Sequence, residues 1–471
     1  MLNNAIIEDI KRLPSNFWDF KKHDTRDNAH GIHSYPATMI YPISKSIIKL
    51  MLKHREVTSF FDPFMGSGTT LVEARLNGIP SIYGTDLNPL AELLTGVKTT
   101  NLTAVQLQVA RKFTKSIEEV FDNWSDTINE FDIYIRKELG LDVTHKTGWA
   151  DSANIHVENF CKKKNIKFTN FRAFKNMGFW FLPKVVISLQ LIKQEIAKID
   201  DVKLKKFLLV AFSETVRLVS NTRNSEFKLF RMQAEKVAVY DPIVRKEFVC
   251  ILNHNIEKMT RFNELCEDKV ANTNICLDDT RVLNSVPNNS IDLVITSPPY
   301  GDSRTTVAYG QYSRLALQWL DIDVTEEEII SIDKRLLGGK PYMDKQHWAL
   351  LGSKTLEDVL LRISEKDLFR AYDVFSFYAD LAKCLREISK KTRIDGYHFW
   401  VVGNRTVKLE KVHTDQILIE LAQKHGLEFV CNFGREISNK VMPQRNSPTN
   451  KNGAKVETMT KEHIVVFRKV A

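Results

Sequence analysis

Two textures alternate along this chain: apolar residues at three- and four-residue spacing, and short unbroken apolar runs between polar turns. The first predicts amphipathic helices; the second predicts strands buried on both faces. Ile43 to Leu52 has the helical spacing, and Thr58-Ser59-Phe60-Phe61 is a short strand. Gly66 and Gly68 mark a tight turn, Thr70 to Leu76 opens a helix, and Gly78-Ile79-Pro80 ends it. Ser81 to Thr85 is a second strand, closed by Asp86. Strand, helix and strand in that order predict a β-α-β unit. The residues up to about Asp27 read as a helix and an arm, and His33 to Ala37 as a loop.

From Thr103 to Cys266 glycine becomes sparse. Gln106 to Ile128, Pro183 to Ile199 and Leu204 to Val219 carry long amphipathic patterns, which predict a helical insertion. Thr144 to Lys164 is polar, basic and weakly periodic, and reads as a mobile loop. Sheet texture resumes at Asn274 to Leu277, before Asp278-Asp279, and continues with Ile291 to Ile295. Ser313 to Leu320, Leu368 to Ser389 and Val412 to His425 predict helices, and Gly396 to Gly403 a buried strand. Glu428 to Cys431 and Glu462 to Phe467 read as the last two strands, separated by the polar segment Met442 to Asn452. The expected organisation is α/β. Residues 1–102 begin a catalytic domain, 103–268 form the helical insertion, and 269–471 complete the catalytic domain.

A chain of 471 residues has the length for two to three domains, or one large domain with an insertion. Apolar content of 43% supports a substantial core. The net charge of +9 suits a polyanionic partner without requiring one. Cys161, Cys250, Cys266, Cys276, Cys384 and Cys431 form no CxxC pair, which argues against a zinc site or disulfide framework and for a reducing compartment. No metal is expected. No signal peptide or membrane span is visible, so a soluble, cytoplasmic protein without membrane contact is expected.

The turn with Gly66 and Gly68 lets backbone approach a ligand closely, because no Cβ intrudes. The helix start behind it, with the Thr69 and Thr70 hydroxyls, can meet a carboxylate. Asp62 and Pro63 lead into the turn, and Phe64 and Leu87 offer apolar walls for an adenine. Asp86 stands where an acidic residue bonds a ribose diol in a doubly wound fold, and Asn88 extends the same edge. A plain tight turn would also explain the glycines. A phosphate-cradling loop would need lysine after Gly68, where Thr69 stands, and a dinucleotide site would favour glycine at Leu71. The pattern favours a nucleoside with an amino-acid tail, a description S-adenosylmethionine fits. Asp279 can accept a bond from the adenine amino group; Asp278 is an equally placed rival, and a solvated turn carboxylate the plain alternative.

The strand ending at Thr296 delivers Ser297-Pro298-Pro299-Tyr300. An exocyclic base amine is a poor nucleophile because its lone pair is delocalised into the ring. Acceptors on both amine hydrogens would localise that pair, and Ser297 Oγ and the Pro298 carbonyl can supply them. Pro298 and Pro299 have fixed φ and no N–H, so the turn is rigid and presents carbonyls. Tyr300 can stack on a base swung out of the helix, offsetting an unstacking cost of roughly a few kcal/mol. Positioning and preorganised electrostatics carry such a reaction without a metal or a covalent nucleophile. A Pro-Pro turn leaving a core strand is the structural alternative; the donor-like turn upstream weighs against it.

Through these two motifs the chain resembles the S-adenosylmethionine-dependent amino-methyltransferases that act on DNA. Asp62 to Thr70 is similar to their cofactor-binding motif, Thr296 to Tyr300 to their catalytic motif, and Gly84 to Ala91 to their ribose-binding edge. Arg435 to Lys440 with Met442-Pro443 is similar to a C-terminal loop of some members. The resemblance covers the two ends of the chain and leaves the helical middle unmatched. It implies a doubly wound methyltransferase-type sheet with a reversed C-terminal hairpin, S-adenosylmethionine as donor, and flipping of a base out of double-stranded DNA. His33 to Pro36 would flank the donor's methionine end, which adds Tyr35 and Pro36 to the cofactor set. Serine at position 297 resembles the cytosine-N4 enzymes; aspartate or asparagine is commoner among adenine-N6 enzymes. Two departures stand out. The donor motif comes first here, with the helical block between the motifs, and Asp278 occupies a place where glycine is usual.

Arg217 to Arg231 interleaves basic, amide and aromatic residues, and makes Arg223, Lys228 and Arg231 candidate DNA contacts. Lys440, Gln444, Arg445, Asn446 and Asn450 form a second candidate set, and Arg335 to Lys340 a third. Each could equally be solvated surface, the better reading of Lys162-Lys163-Lys164. The expected function is a site-specific DNA methyltransferase acting on cytosine N4, the modification half of a restriction–modification system whose endonuclease acts separately. The alternatives are an adenine-N6 enzyme, an RNA guanine-N2 methyltransferase, and a non-catalytic nucleic-acid-binding protein on the same scaffold. Only about sixty residues precede the donor turn, short for a separate RNA-binding domain. Intact Ser297, Tyr300, Gly66 and Asp86 argue against loss of catalysis.

Overall fold

The computed structural model describes residues 2–21, 23–223, 227–302, 305–437 and 460–471, with the backbone alone of 445–446 and 456–457. Its centre is a seven-stranded sheet in the order β3-β2-β1-β4-β5-β7-β6. The strands are β1 (Ser59–Asp62), β2 (Ser81–Asp86), β3 (Asn272–Leu277), β4 (Ile291–Thr296), β5 (Thr392–Gly403), β6 (Leu427–Glu436) and β7 (Lys461–Lys469). β3, β2, β1, β4 and β5 pair in parallel. β7 runs antiparallel to both β5 and β6 and sits between them. The last strand in sequence is therefore not the last in space.

Side-chain alternation feeds two cores from this sheet. Phe60, Leu293, Ile295, Phe399 and Ile464 enter one apolar cluster with Ile43, Ile47 and Met51 of α1 (Tyr41–His54). Phe61, Val294, Trp400 and Val465 enter the other, with long helices of the C-terminal third. Each fully buried phenylalanine contributes about 1.5–3 kcal/mol, so neither face tolerates a one-residue register slip. The β1–β4 pair is also pinned at both ends. Asp292 accepts hydrogen bonds from Thr58 and Ser59 at its start. Asp62 accepts one from Thr296 at its end.

Among the described residues, the central sheet takes no strand from 87–271, where the regular elements are helices. The principal ones are α3 (Pro89–Lys98), α4 (Ala104–Ile133), α5 (Pro183–Ala197), α6 (Val202–Leu218) and α7 (Val244–Leu265). α2 (Thr69–Leu76) lies between β1 and β2, and α8 (Tyr309–Trp319) follows β4. The apolar core of the helical block is continuous with Val72 of α2, Leu90 and Leu94 of α3, and Leu315 and Trp319 of α8. The change of texture at Thr103 is thus not a division between cores.

One sequence expectation is corrected. Residues 144–164 are not a loop throughout, because Trp149–Lys163 is a helix with Trp149, Ala153, Val157 and Phe160 buried on one face. The Trp149 indole donates to the Phe181 carbonyl at 2.8 Å. The basic run obscured a buried apolar stripe that also includes Ala150. Among the described residues, no helix is long and apolar enough to cross a membrane, and no group of three His, Cys, Asp or Glu side chains is arranged to hold a metal ion.

Candidate active site

The two motifs meet because β1 and β4 are neighbours, with Phe60 opposite Leu293 and Phe61 opposite Val294. Asp62 joins them chemically. Its carboxylate accepts from Thr296 Oγ1 at 2.6 Å, from Thr70 Oγ1 at 2.5 Å and from the Phe64 amide at 3.0 Å. Burial pushes this carboxyl up to about 6 against the lowering effect of those three bonds. Asp62 lines the cleft, but the protein itself uses its acceptors, so its task is to hold both turns in place.

The donor turn needs its glycines for different reasons. Gly66 has φ +49°, and a Cβ there would come to 3.4 Å from the Tyr35 ring. Gly68 has φ +77°, and a Cβ there would lie 2.8 Å from the Thr95 side chain. Gly66 therefore keeps ligand space open, whereas Gly68 permits close packing against α3. Thr95 also donates to the Gly66 carbonyl at 3.1 Å. α2 starts directly behind the turn, and the amides of its first turn have no helical carbonyl ahead of them.

Beyond β2, Asp86 accepts from the Gly66 amide at 3.0 Å and from the Asn88 amide at 2.9 Å. Burial raises it to about 6. A carboxylate has about four acceptor positions, so two backbone bonds leave capacity for hydroxyl donors. Asn88 is buried and works from behind. Its side chain caps α3 at Leu90 and donates to Tyr35 Oη at 3.2 Å. Asp279 and not Asp278 lines the cleft. Asp278 accepts from the Ser285 and Asp279 amides instead. Burial would raise the Asp279 carboxyl, but Arg281 outweighs it and holds it below its ordinary value, through bonds of 2.9 and 2.7 Å.

One cleft contains most of these groups. Its lining includes Tyr35, Pro36, Asp62, Pro63, Phe64, Gly66, Thr69, Thr70, Asp86, Leu87, Asp279, Ser297 and Pro299. The space between the walls is about 850 Å³ with its open mouth included. Gly68, Asn88, Pro298 and Tyr300 adjoin these lining residues in the chain. Met65 and Ser67 of the same motif line it too, as do Thr280, Tyr309, Leu336 and Leu337, which the sequence did not assign to this cleft. The apolar walls, the helix start and the Asp86 edge suit an adenosine with an amino-acid tail.

The wall is braced from the helical block. Glu214 of α6 accepts from the Ser34 amide at 3.1 Å and from Ser34 Oγ at 2.7 Å. Tyr312 of α8 donates to the Ser34 carbonyl at 2.6 Å. Tyr35 follows directly, flanked by His33 at φ 62° and Ala37 at φ 51°, left-handed conformations that non-glycine residues hold only when their surroundings enforce them. Sequence patterns could not have paired Ser34 with a glutamate 180 residues away.

The one proton of the Ser297 hydroxyl has two acceptors in reach, the Val401 carbonyl at 3.1 Å and Tyr300 Oη at 3.2 Å. Tyr300 donates to Glu462 at 2.9 Å. The Tyr300 hydroxyl is tied across the sheet, while the residue itself stays partly exposed next to the cleft-lining Pro299. Burial and the Glu462 charge hold that phenol well above its ordinary pKa, so it stays protonated.

Of the candidate DNA contacts, Arg231 has a structural task instead. It donates to the Phe179, Thr144 and Val143 carbonyls and lies 4.6 Å over the Phe179 ring. Arg223 and Lys228 belong to a turn closed by a Thr222–Arg231 bridge, beside the half-exposed rings of Phe227 and Phe230. Phe227 packs edge-on to Tyr312 at 6.3 Å, and Tyr312 to Tyr35 of the cleft at 5.9 Å. Lys440, Gln444 and Asn450 lie outside the described residues, as do the side chains of Arg445 and Asn446. Lys163 and Lys164 are paired with Glu138 and Glu130, as a solvated charge run would be.

Comparison with known proteins gives the family. No protein-family model matches the chain. A solved structure from Thermus thermophilus, described as a DNA modification methylase, shares 17% identity over 41% of this chain and 51% of that one, and its TM-score of 0.20 carries no argument. The chain is 24% identical to the type II methyltransferase M.MjaII of Methanocaldococcus jannaschii over 417 residues, 78% of this chain and 74% of that protein. It is 38% identical to the type II methyltransferase M.MvaI of Kocuria varians over 464 residues, 95% of this chain and 93% of that protein. With that likeness running through the cleft and the helices between its two motifs, the chain belongs to the type II methyltransferase family.

Proposed function

We propose that this chain is a site-specific DNA methyltransferase that moves a methyl group from S-adenosylmethionine to the N4 amine of a cytosine flipped out of the duplex. The observation that carries the reading is the shared cleft. Ser297 and Pro299 line the same space as the donor turn and Asp86, and Asp62 holds the two turns at a fixed separation.

S-adenosylmethionine, when bound, supplies an electrophilic methyl group. Phe64, Leu87, Leu336 and Leu337 would enclose its adenine, Asp86 its ribose hydroxyls, and the start of α2 with Thr69 its carboxylate. Ser297 Oγ has its proton drawn toward Val401 and Tyr300, which leaves lone pairs for an amine hydrogen. The Pro298 carbonyl would take the second. A nucleophile oriented in this way gains from proximity and preorganised electrostatics. A single hydroxyl at this position, in place of a carboxylate or carboxamide, supports cytosine over adenine.

Arg223, Lys228, Lys440 and Arg445 are proposed to contact DNA. The aromatic chain from Phe227 through Tyr312 to Tyr35 supports the first pair, because it places their turn beside the cleft wall. The chain would then serve as the modification half of a restriction–modification pair. Incubation with labelled donor and duplex DNA, followed by nucleoside analysis, tests the assignment. N4-methylcytosine in one sequence context is expected. N6-methyladenine would move the target assignment, and transfer only to RNA would overturn the DNA reading.

A further inference from the structure

We propose that Glu462, held by Arg435, is a positioning residue that fixes the hydrogen-bond direction of the Ser297–Tyr300 pair. The inference rests on the amine-site reading above and deepens it. It also gives the reversed C-terminal hairpin a part in the chemistry.

Four neighbouring strands contribute one lateral chain of polar groups. Ser297 follows β4, Val401 lies on β5, Glu462 on β7 and Arg435 on β6. Glu462 pairs with Gly403 on one side and with Arg435 on the other. Tyr300 Oη donates to Glu462 Oε1 at 2.9 Å. Glu462 Oε2 meets the Arg435 guanidinium, and Arg435 Nε donates to the Trp18 carbonyl at 3.0 Å. Arg435 is 7% exposed and Glu462 13% at the side chain. A buried ion pair of this kind stays only where each remaining hydrogen-bonding position is satisfied.

The chemistry of the donors sets the direction. An ionised carboxylate only accepts, so the Tyr300 proton points to Glu462. Tyr300 Oη is then an acceptor toward Ser297. The single Ser297 proton faces two acceptors, Tyr300 Oη at 3.2 Å and the Val401 carbonyl at 3.1 Å. Both draw it away from the cleft, and donating it strengthens Oγ as an acceptor. An amine hydrogen arriving from the cleft therefore meets a lone pair.

Glu462→Gln reverses the chain. The new amide oxygen turns to Arg435, which only donates, and its NH2 faces Tyr300. The Tyr300 proton then points at Ser297 and takes one of its two lone pairs, which weakens Oγ as an acceptor for the amine. Neither Glu462 nor Arg435 lines the cleft, so donor affinity is untouched.

The test is a double-variant cycle on the full chain, read by single-turnover methyl transfer to duplex DNA, donor calorimetry and thermal unfolding. Glu462→Gln and Tyr300→Phe should each slow transfer about 10- to 100-fold, the scale seen for groups that orient a reacting ligand, with donor affinity unchanged. The double variant should be no slower than Tyr300→Phe alone, because Glu462 acts through that hydroxyl. A merely structural Glu462 would lower the unfolding temperature in both backgrounds and slow transfer in both. Wild-type rate in Glu462→Gln, or losses that multiply in the double variant, would overturn the proposal. Tyr300→Phe leaves the Glu462–Arg435 pair intact, so its full activity would overturn it even if Glu462→Gln failed to fold. Absence of transfer by the wild-type chain would instead count against the DNA methyltransferase reading itself.

Discussion

Replacing Asp62 by asparagine should stabilise the donor-free protein at neutral pH. Asp62 is 2% exposed, and burial raises its carboxyl from an ordinary 3.8 to about 6. A raised carboxyl pKa means that the folded state prefers the protonated form. Its stability is complete below pH 3.8 and falls as pH rises through 6. The shift of about two units corresponds to about 3 kcal/mol at pH 7, of which about 2 kcal/mol develops between pH 4.5 and 7. Asparagine fits the same three partners. Its oxygen can accept from Thr296 and Phe64, which both use Oδ1, and its NH2 can donate to the Thr70 oxygen, whose hydroxyl turns. Urea unfolding of both proteins across pH 4.5–8 is the assay. The stability advantage of Asp62→Asn should grow with pH by roughly 2 kcal/mol and level off above pH 7. A variant that is less stable than wild type, by a margin that widens with pH, would show that the buried charge stabilises the fold and would refute the reasoning.

Five further variants have defined outcomes. Ser297→Ala should lower the transfer rate about 100- to 1,000-fold with donor binding intact, whereas Asp86→Ala should weaken donor binding about 10- to 100-fold, as loss of bonds to a charged group does; calorimetry and single-turnover kinetics separate the two. Gly68→Ala should cost at least about 1–3 kcal/mol of stability from its φ of +77° alone, before the contact with Thr95, as measured by chemical unfolding. Arg231→Ala should destabilise the protein by roughly 2–3 kcal/mol in the same assay, while Arg223→Ala should weaken DNA binding across sequences and reduce its salt dependence by about one counterion.

The parts of the site legible in the sequence are those with local signals. Gly66, Gly68 and the Pro298-Pro299 pair announce backbone geometry by residue type alone, and the apolar runs at Phe60-Phe61 and Ile291 to Ile295 announce buried strands. What was hidden depends on contacts across long stretches of chain. Glu214 reaches Ser34 over 180 residues, and Glu462 reaches Tyr300 over 162. A lone glutamate on a helix or strand reads as solvated surface until its partner is placed beside it. Tyr300 shows the same limit from the other side: its ring is legible in the motif, but the bond of its hydroxyl to Glu462 is not. Arg231 looked like a reader of bases because arginine is the common choice for that task, yet three backbone carbonyls engage it. The helix Trp149–Lys163 was obscured because its lysines and polar face outnumber a buried stripe of five residues.

The most direct test of the central claim is a crystal structure of the chain with a non-reactive donor analogue and its duplex substrate. The account predicts the analogue between the Gly66 turn and Asp86, with the exocyclic amine of one extruded cytosine about 3 Å from Ser297 Oγ and from the Pro298 carbonyl. An analogue bound elsewhere, or a target base whose amine lies beyond reach of Ser297, would contradict it.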